Sequence, residues 1–304
     1  MRVRARIAEA RSQRAAGNPS TRLFRRRSDA IRPTCERIPR NGSAGSIKPR
    51  QVMMNPDFYS RVADEFGEYT SGGLRTDVFP DGDPEAAFDE LARGLSGPDG
   101  RLVDVGCADG RSLLRIAPAF GSVLGIDMAA SMLESAERKR AEAGLGNVRF
   151  ERRDASRTGL PDGEADVLTS RRGPLFPGEF RRVLKPGGHL IYMGIGETDV
   201  RELKETFGRG QLYGRWDGRP VMDEVVEQLT GAGFTVVLAK AFRSEEFYHS
   251  PVELDRFLRQ VPIFEDYDTV ADRVPFERYV ASAGSDRGVR LDRHWFVVQA
   301  WRAT

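Results

Sequence analysis

The stretch "VDVGCADGRS", Val103–Ser112, joins a short apolar strand to a turn of small residues. Gly106, Ala108 and Gly110 give that turn little side-chain bulk, and the helix-like segment "RSLLRIAPAF" follows directly. Glycine allows backbone conformations and close approaches that a Cβ atom would block. The amino terminus of a helix offers unpaired N–H groups to a carboxylate or a phosphate. Strand, turn and helix in this order predict a ligand site at the carboxyl end of the strand.

The spacing of the small residues separates two classes of ligand. A dinucleotide fingerprint requires small residues at positions i, i+2 and i+5. Here they stand at i, i+2 and i+4, and Arg111 occupies i+5, which disfavours a nicotinamide oxidoreductase. The stretch resembles instead the first motif of the class I S-adenosylmethionine-dependent methyltransferases. That motif has an acidic residue two positions before its first glycine, as Asp104 does here, whereas Ala108 replaces the family's usual middle glycine.

Three further stretches resemble the same family, and they follow in the same order. In "VLGIDMAASML", Asp127 takes the position of the carboxylate that binds the ribose hydroxyls, and Met128 that of a side chain on the adenine face. In "RFERRDA", Asp154 and the N–H group of Ala155 take the positions that meet the adenine edge. "EFRRVLKPGGHLIY" resembles the family's stretch before its fifth strand. The resemblance thus implies a cofactor site made of Asp104, Gly106, Ala108, Asp109, Gly110, Asp127, Met128, Met132, Asp154 and Ala155.

The resemblance is to the small-molecule, type 11-like branch, and it implies an enzyme that uses S-adenosyl-L-methionine. Methyl transfer is an in-line displacement, which depends chiefly on holding the reacting atoms in position. A general base is needed only if the acceptor keeps a proton at neutral pH. The lack of an obvious catalytic triad therefore does not count against catalysis.

The segment "ADVLTSRRGPLF" should end near the methyl acceptor. It lacks the Asn/Asp-Pro-Pro-aromatic motif of methyltransferases that modify base amino groups. Ser170, Arg171 and His249 are the candidate catalytic or acceptor-binding residues, and ion pairing with nearby acids is an equal alternative for Arg171 and Arg172. The glycine-rich stretch "ETFGRGQLYGRW" is a candidate flap that presents Arg209 and Gln211. We interpret His189 and His294, which lie within strand-like segments, as structural.

Strand-like and helix-like segments alternate from Met53 onward. This alternation predicts βαβ units and a parallel sheet covered on both faces. We expect an α/β fold with a doubly wound, seven-stranded, mainly parallel sheet: the Rossmann-like methyltransferase fold. Residues 246–291 lie between the last two strand-like segments and contain the helix-like "SPVELDRFLRQV" and seven aromatic residues. This helical insertion before the last strand is a candidate substrate lid. Alternatively, its aromatic residues form a satellite core.

Charge divides the chain into two parts. Residues 1–52 carry a net charge of +11 and the remainder carries −9. Residues 1–52 have few large apolar side chains, so we expect a disordered basic tail. Three interpretations stay open: a mis-assigned start before Met53, a targeting segment, and a genuine nucleic-acid-binding arm. We expect residues 53–304 to form the methyltransferase domain.

The partner classes follow from composition and charge. No apolar run is long enough for a membrane span, and scattered cysteine and histidine residues predict no metal site. The acidic body disfavours nucleic acid, because binding it requires neutralisation of phosphates. We expect a cytoplasmic enzyme that acts on a small-molecule acceptor. The alternatives are an RNA methyltransferase and a non-catalytic cofactor-binding protein.

Overall fold

Parallel strands separated by helices dominate the computed structural model, which describes residues 56–66 and 73–303. The expectations for residues 1–52 lie outside the described residues. The helices are α1 (Pro56–Phe66), α2 (Pro84–Gly94), α3 (Arg111–Ile116), α4 (Ala130–Glu142), α5 (Pro177–Val183), α6 (Arg201–Phe207), α7 (Val221–Gly231), α8 (Pro251–Gln260) and α9 (Arg273–Ala283). The strands are β1 (Arg75–Val78), β2 (Gly97–Val105), β3 (Phe120–Asp127), β4 (Val148–Arg152), β5 (Ala165–Arg171), β6 (Leu184–Ile195), β7 (Phe234–Tyr248), β8 (Gly284–Ser285) and β9 (Gly288–Arg302).

The described strands form one sheet in the order β1-β7-β9-β6-β5-β2-β3-β4, and the two-residue β8 pairs with β9. Strands β2 to β6 pair in parallel, whereas β9 runs antiparallel to both of its long neighbours, β6 and β7. The predicted doubly wound α/β fold is confirmed. The sheet contains the seven expected strands together with the short β1 and β8.

Both faces of the sheet are covered, as its parallel strands require. On one face, Val103 and Val105 of β2 pack with Phe180 of α5 and Leu229 of α7. We call this the α5/α7 face. On the other, the α2/α3 face, Leu102 packs with residues that include Phe88 of α2, Leu113 of α3 and Leu133 of α4. Because β2, β3, β5, β6 and β7 run in the same direction, their carboxyl ends meet at one edge of the sheet. We call this edge the carboxyl edge.

The hairpin of β7 and β9 is longer than the sequence pattern predicts. The two strands pair continuously from Phe234 with Arg302 to Tyr248 with Val289, apart from one bulge. Their connection is therefore narrower than the expected 246–291. β6 ends at Ile195, opposite Trp295. The seven residues of β9 before Trp295 thus extend roughly 20 Å beyond the carboxyl edge.

The connection between β7 and β9 contains the predicted helix as α8, and also α9 and β8. Its aromatic residues form a third hydrophobic cluster. Tyr248, Phe257, Phe264 and Tyr279 are buried in it, together with leucine and valine residues of α6, α8 and β9. This packing matches the satellite core that the sequence offered as the alternative to a lid.

Helix α1 contacts both the start of α4 and the insertion. Phe58, Tyr59 and Val62 are buried against Ala129 and Met132 at the start of α4. On its other side, Nη2 of Arg61 donates to the carbonyl of Glu265 at 2.7 Å, and Glu65 pairs with Arg259 of α8. The first described helix thus touches elements that follow it by about 70 and about 200 residues.

Candidate functional site

The turn after β2 is built from left-handed backbone conformations. Gly106 has φ of 75°, Ala108 of 47° and Gly110 of 72°. Glycine is required at position 110, because a Cβ atom there would lie 2.7 Å from Cζ of Phe150. Ala108 adopts a conformation that costs a non-glycine residue about 1–2 kcal/mol. The surrounding hydrogen bonds must therefore hold this residue in place.

Asp127, at the end of β3, supplies those hydrogen bonds. Its Oδ2 accepts from the backbone N–H of Ala108 and its Oδ1 from that of Ala129, both at 2.9 Å. Burial raises the pKa of this carboxyl group, against the opposing effect of the backbone donors. The side chain remains partly exposed. One carboxylate thus fixes both the turn and the start of α4, and it still faces the carboxyl edge.

Asp104 is more deeply buried than Asp127, and it lies within β2 on the α2/α3 face. Its Oδ1 accepts a hydrogen bond from Oγ1 of Thr169 on the neighbouring β5 at 2.6 Å. Burial raises the pKa of Asp104 to about 7, and the nearby carboxylates of Asp127 and Asp89 act in the same direction. Asp104 is therefore only partly ionised at neutral pH in the empty protein.

The carboxylate of Asp109 forms ion pairs with side chains of the protein. It is buried and pairs with Lys139 of α4 and Arg111 of α3. These contacts tie the turn to the helices that flank it. The structure gives Asp109 a supporting position in the turn.

The residues after β4 meet those after β3. The backbone N–H of Arg153 donates to the carbonyl of Asp127 at 3.1 Å, which brings Asp154 to the same edge. Asp154 is exposed, and its Oδ1 accepts from the N–H and the hydroxyl of Ser156, both at 2.8 Å. Ala155 is buried. The structure thus brings Asp154 and Ala155 together with Asp127, as the sequence implied.

The two methionine residues differ in exposure. Met128 is 42% exposed beside Asp127, so its side chain is available to a ligand. Met132 is buried beneath α1 in the cluster that contains Phe58 and Val62. Only Met128 therefore has the surface that contact with an adenine ring requires.

The candidates at the end of β5 point into protein contacts. Ser170 is buried, and its hydroxyl donates to the carbonyl of Pro174 at 2.9 Å. Arg171 pairs with Glu85 and Asp89 of α2, and its guanidinium lies 4.2 Å from the ring centroid of Phe88. These are the ion pairs that the sequence offered as the alternative for Arg171.

Arg172 and Arg209 also form ion pairs. Arg172 joins Glu85 and lies 4.5 Å from the ring centroid of Trp295. Arg209 pairs with Asp266 and Asp272, and thereby ties the candidate flap to the insertion.

His249 lies apart from the other candidates. It is exposed just after β7, where its Nε2 lies 3.0 Å from Oγ1 of Thr76 on β1. The sheet order places β1 and β7 several strands away from β2 and β3. The structure does not bring His249 together with the turn.

A buried polar cluster beyond β6 was missed by the sequence reasoning. The guanidinium of Arg293 donates to Asp199 at 2.9 Å and to both carboxylate oxygens of Glu246 at 3.0 and 3.1 Å. The hydroxyl of Tyr248 donates to Glu246 at 2.9 Å, and Nζ of Lys204 donates to the carbonyl of Asp199 at 2.7 Å. All five side chains are buried. We call this set the Arg293 cluster.

Burial and nearby charges shift the pKa values of Arg293 and Lys204, the two buried cations of the cluster, in opposite directions. Burial opposes the charge on Arg293, but the carboxylates of Asp199 and Glu246 raise its pKa. Burial lowers the pKa of Lys204 to about 8. Arg293 therefore stays charged at any pH at which the protein is folded. It bonds to both carboxylates, and Nη2 of Arg75 adds a longer contact to Glu246 at 3.7 Å.

His294 lies next to this cluster at the carboxyl edge. Its ring is buried, and its Nδ1 lies 2.8 Å from Oγ1 of Thr198 and 3.8 Å from Oε1 of Glu197. One sequence signal could have found it. In "GIGE", residues 194–197, the glycines at positions 194 and 196 leave room for the rings of Phe296 and His294.

Residues 102–188 match the model of a methyltransferase domain. Nocamycin O-methyltransferase of Saccharothrix syringae is 36% identical over 113 residues, which are 33% of this chain and 40% of that protein. A ubiquinone/menaquinone biosynthesis C-methyltransferase of Stutzerimonas stutzeri is 35% identical over 104 residues, 31% of this chain and 41% of that protein. The chain thus spans less than half the length of these relatives.

Solved structures share the fold. A Bacillus halodurans C-125 protein described as a candidate methyltransferase superposes with a TM-score of 0.56 at 17% identity, over 73% of this chain and all of that one. The [4+2]-cyclase SpnF gives a TM-score of 0.51 at 20% identity, over 82% and 93% of the two chains. At these identities the likeness concerns the fold alone.

No described helix is long and apolar enough to cross a membrane. Within residues 56–66 and 73–303, no group of three or more histidine, cysteine or acidic side chains could hold a metal ion.

Proposed function

We propose that this chain, a class I S-adenosylmethionine-dependent methyltransferase by its domain match and fold, transfers a methyl group to a small-molecule acceptor. One observation carries the proposal. The turn at Gly106–Gly110, the ends of β3 and β4 and the exposed Met128 converge at a single edge. Asp127 and Asp154, two carboxylates with exposed surface, lie at and just after the ends of the neighbouring strands β3 and β4, in the order that the family shows.

S-adenosylmethionine is the cofactor of the family, and the residues present fit it. Asp127 and Asp154 would accept hydrogen bonds from its ribose and adenine, and Met128 would pack on the ring. The left-handed turn keeps Cβ atoms away at positions 106 and 110. When bound, the cofactor supplies a methyl group activated on a sulfonium. The protein's part is to fix that group and the acceptor relative to each other and to exclude water.

The acceptor class rests on the relatives. Nocamycin O-methyltransferase and the ubiquinone/menaquinone biosynthesis C-methyltransferase carry small-molecule products in their names. The acidic balance of residues 53–304 supports the same class over nucleic acid. SpnF, named a cyclase, shares the fold, so fold alone does not establish methyl transfer.

The test combines binding with a transfer screen. Calorimetry should show binding of S-adenosylmethionine and S-adenosylhomocysteine but not of NAD. Label from methyl-tritiated S-adenosylmethionine should then appear on members of a panel of phenols, quinols, β-dicarbonyl compounds and carboxylic acids. Label found only on total RNA would contradict the small-molecule acceptor. Binding without transfer to the panel or to RNA would favour a non-catalytic protein.

Cofactor affinity should depend on pH through Asp104. Its folded pKa is raised above the usual value to about 7, so the protonated form is favoured in the empty protein at lower pH. The cationic cofactor favours the ionised form. If binding requires that form, the affinity for S-adenosylmethionine should rise roughly 10-fold between pH 6 and pH 8. Asp104→Asn should remove this dependence, and a flat wild-type profile measured by calorimetry would contradict it.

The stability of the empty protein should change with pH in the opposite direction to the cofactor affinity. Because the folded pKa of Asp104 lies above its unfolded value, the empty protein loses this contribution to stability as pH rises toward 7. Denaturant midpoints of the empty wild-type protein should therefore fall between about pH 4 and pH 7 relative to those of Asp104→Asn.

We also propose that part of the insertion closes over the acceptor. The β7–β9 hairpin carries it beyond the carboxyl edge, which is where the acceptor must enter. The buried cluster around Phe257 and Tyr279 predicts a rigid base, so motion should be confined to the more exposed residues 265–272 between α8 and α9.

Hydrogen exchange tests this division within the insertion. Amides of residues 265–272 should gain protection when S-adenosylhomocysteine and an acceptor from the screen are both bound. Amides of α8 should be protected in either state and serve as the internal control. Equal protection of residues 265–272 with and without ligands would contradict the lid and support the interpretation of the insertion as a satellite core.

A further inference from the structure

His294 lies on the half of the carboxyl edge that the cofactor turn does not occupy. It is on β9, and its carbonyl accepts from the backbone N–H of Gly196, just past β6, at 2.7 Å. Strands β5 and β6 separate β9 from β2, which puts His294 about 14 Å across the sheet from the turn. Ligands of parallel sheets bind outside this edge. A molecule beside the cofactor would therefore extend toward His294.

The chain makes room for this imidazole. A Cβ atom on Gly196 would lie 2.2 Å from Nδ1 of His294, so only glycine allows the ring to lie over the backbone at that point. Glu197 is held in turn, because its Oε2 accepts from the backbone N–H of Val221 at the start of α7 at 3.1 Å. The position of the ring is thus fixed by backbone on one side and by an anchored carboxylate on another.

The hydrogen bonds around Thr198 are compatible with a neutral ring that carries its proton on Nε2. Nη1 of Arg243 donates to Oγ1 of Thr198 at 2.5 Å. A guanidinium can only donate, which leaves the proton of the Thr198 hydroxyl available for donation to Nδ1 of His294 at 2.8 Å. The neutral ring then carries its proton on Nε2.

The ring is neutral at physiological pH. Burial lowers the pKa of His294, and the charge of Arg243 acts in the same direction, against Glu197 and Asp199. The side chain is 5% exposed, yet no described residue forms a hydrogen bond with its Nε2. Nε2 is thus the ring nitrogen that remains available to a ligand or to water.

We propose that Nε2–H of His294 donates a hydrogen bond to an oxygen atom of the methyl acceptor. The proposal rests on the proposed function and deepens it, because it makes His294 a residue that selects acceptors bearing a carbonyl, hydroxyl or phenolic oxygen away from the reacting atom. His294 acts as a donor that binds the acceptor. It does not act as the base that removes the acceptor's proton, since Nε2 is already protonated.

Two substitutions separate this role from a structural one. In His294→Gln the side-chain amide reaches the place of Nε2, whereas in His294→Asn it reaches the place of Nδ1 and can still meet Thr198. We expect His294→Asn to raise the KM for the acceptor found in the screen roughly 10-fold, with a smaller change in kcat. His294→Gln should stay within about threefold of wild type. The affinity for S-adenosylhomocysteine should be unchanged in both variants.

A binding measurement on the wild-type protein needs no known acceptor. The chain has three histidines, so ¹⁵N-labelled imidazoles can be assigned by single substitutions. In the presence of S-adenosylhomocysteine, the ring nitrogens should show the Nε2–H tautomer. Millimolar 2-naphthol should shift the Nε2 signal of His294, and naphthalene, which lacks the oxygen, should not.

The outcomes distinguish this proposal from the one on which it rests. Failure of S-adenosylhomocysteine to bind would remove the proposed function. With that ligand bound, three results would overturn the role of His294: an Nδ1–H tautomer, equal responses to 2-naphthol and naphthalene, or a His294→Gln variant as impaired as His294→Asn. Loss of the acidic limb of the pH–rate profile in His294→Gln would identify His294 as the base. That result would also overturn the donor role proposed for His294.

Discussion

Replacing Arg293 with methionine should lower the free energy of unfolding by about 3–5 kcal/mol. The substitution keeps an apolar stem of similar length but removes the cation that compensates Asp199 and Glu246. Both carboxylates are buried, at 1% and 4% exposure, so water cannot replace the lost partner. Urea denaturation at pH 7 measures the difference.

Arg290→Met is the matched control on the same strand. Arg290 pairs with Glu202, Glu245 and Asp292, but its side chain is 40% exposed. Exposed pairs contribute at most about 1 kcal/mol. A loss as small as that of Arg290→Met would mean that the cluster does not depend on its cation.

Replacing Asp127 with alanine should weaken the binding of S-adenosylhomocysteine by roughly 10- to 100-fold. Ribose hydroxyls would lose a charged acceptor, and a hydrogen bond to a charged group is worth about 1.5–3 kcal/mol. The same carboxylate accepts from Ala108 and Ala129. Part of the loss should therefore come from relaxation of the strained turn, and calorimetry on the variant reports the sum of both effects.

A ligand lacking one ribose hydroxyl separates the two contributions. The 2′-deoxy analogue of S-adenosylhomocysteine should bind wild type more weakly than the parent compound, but the two should bind Asp127→Ala almost equally. Asp162→Ala, which changes an acid that is 80% exposed, controls for loss of surface charge. If the deoxy analogue loses the same affinity in wild type and in Asp127→Ala, the carboxylate acts only through the turn.

The turn after β2 and the carboxylates around it could be predicted because their contacts are close in sequence. Ala108 and Asp127 are 19 residues apart, and each lies in a strand–turn–helix unit with its own pattern of small and acidic residues. The alternation of strands and helices, which gave the doubly wound fold, is likewise a local property of each segment.

The rest of the candidate site depends on contacts that no local sequence pattern encodes. Arg171 meets Glu85 across 86 residues, and Thr198 meets His294 across 96. The same limit explains the length of β7. Its apolar pattern ends at Phe242, and the charged residues that follow, which include Glu246, read as a loop. They form a strand because Arg293, 47 residues later, compensates Glu246 inside the sheet.

The central position of β9, the last strand in the chain, has a consequence during synthesis. β9 fills the place between β6 and β7. About 100 residues must follow β6 before β9 exists, which takes the order of 5–20 s on a ribosome. During that interval the apolar strand β6 presents a bare hydrogen-bonding edge, the kind of surface on which other chains add strands and aggregate. The nascent protein therefore has a period of exposure to aggregation that its finished sheet does not reveal.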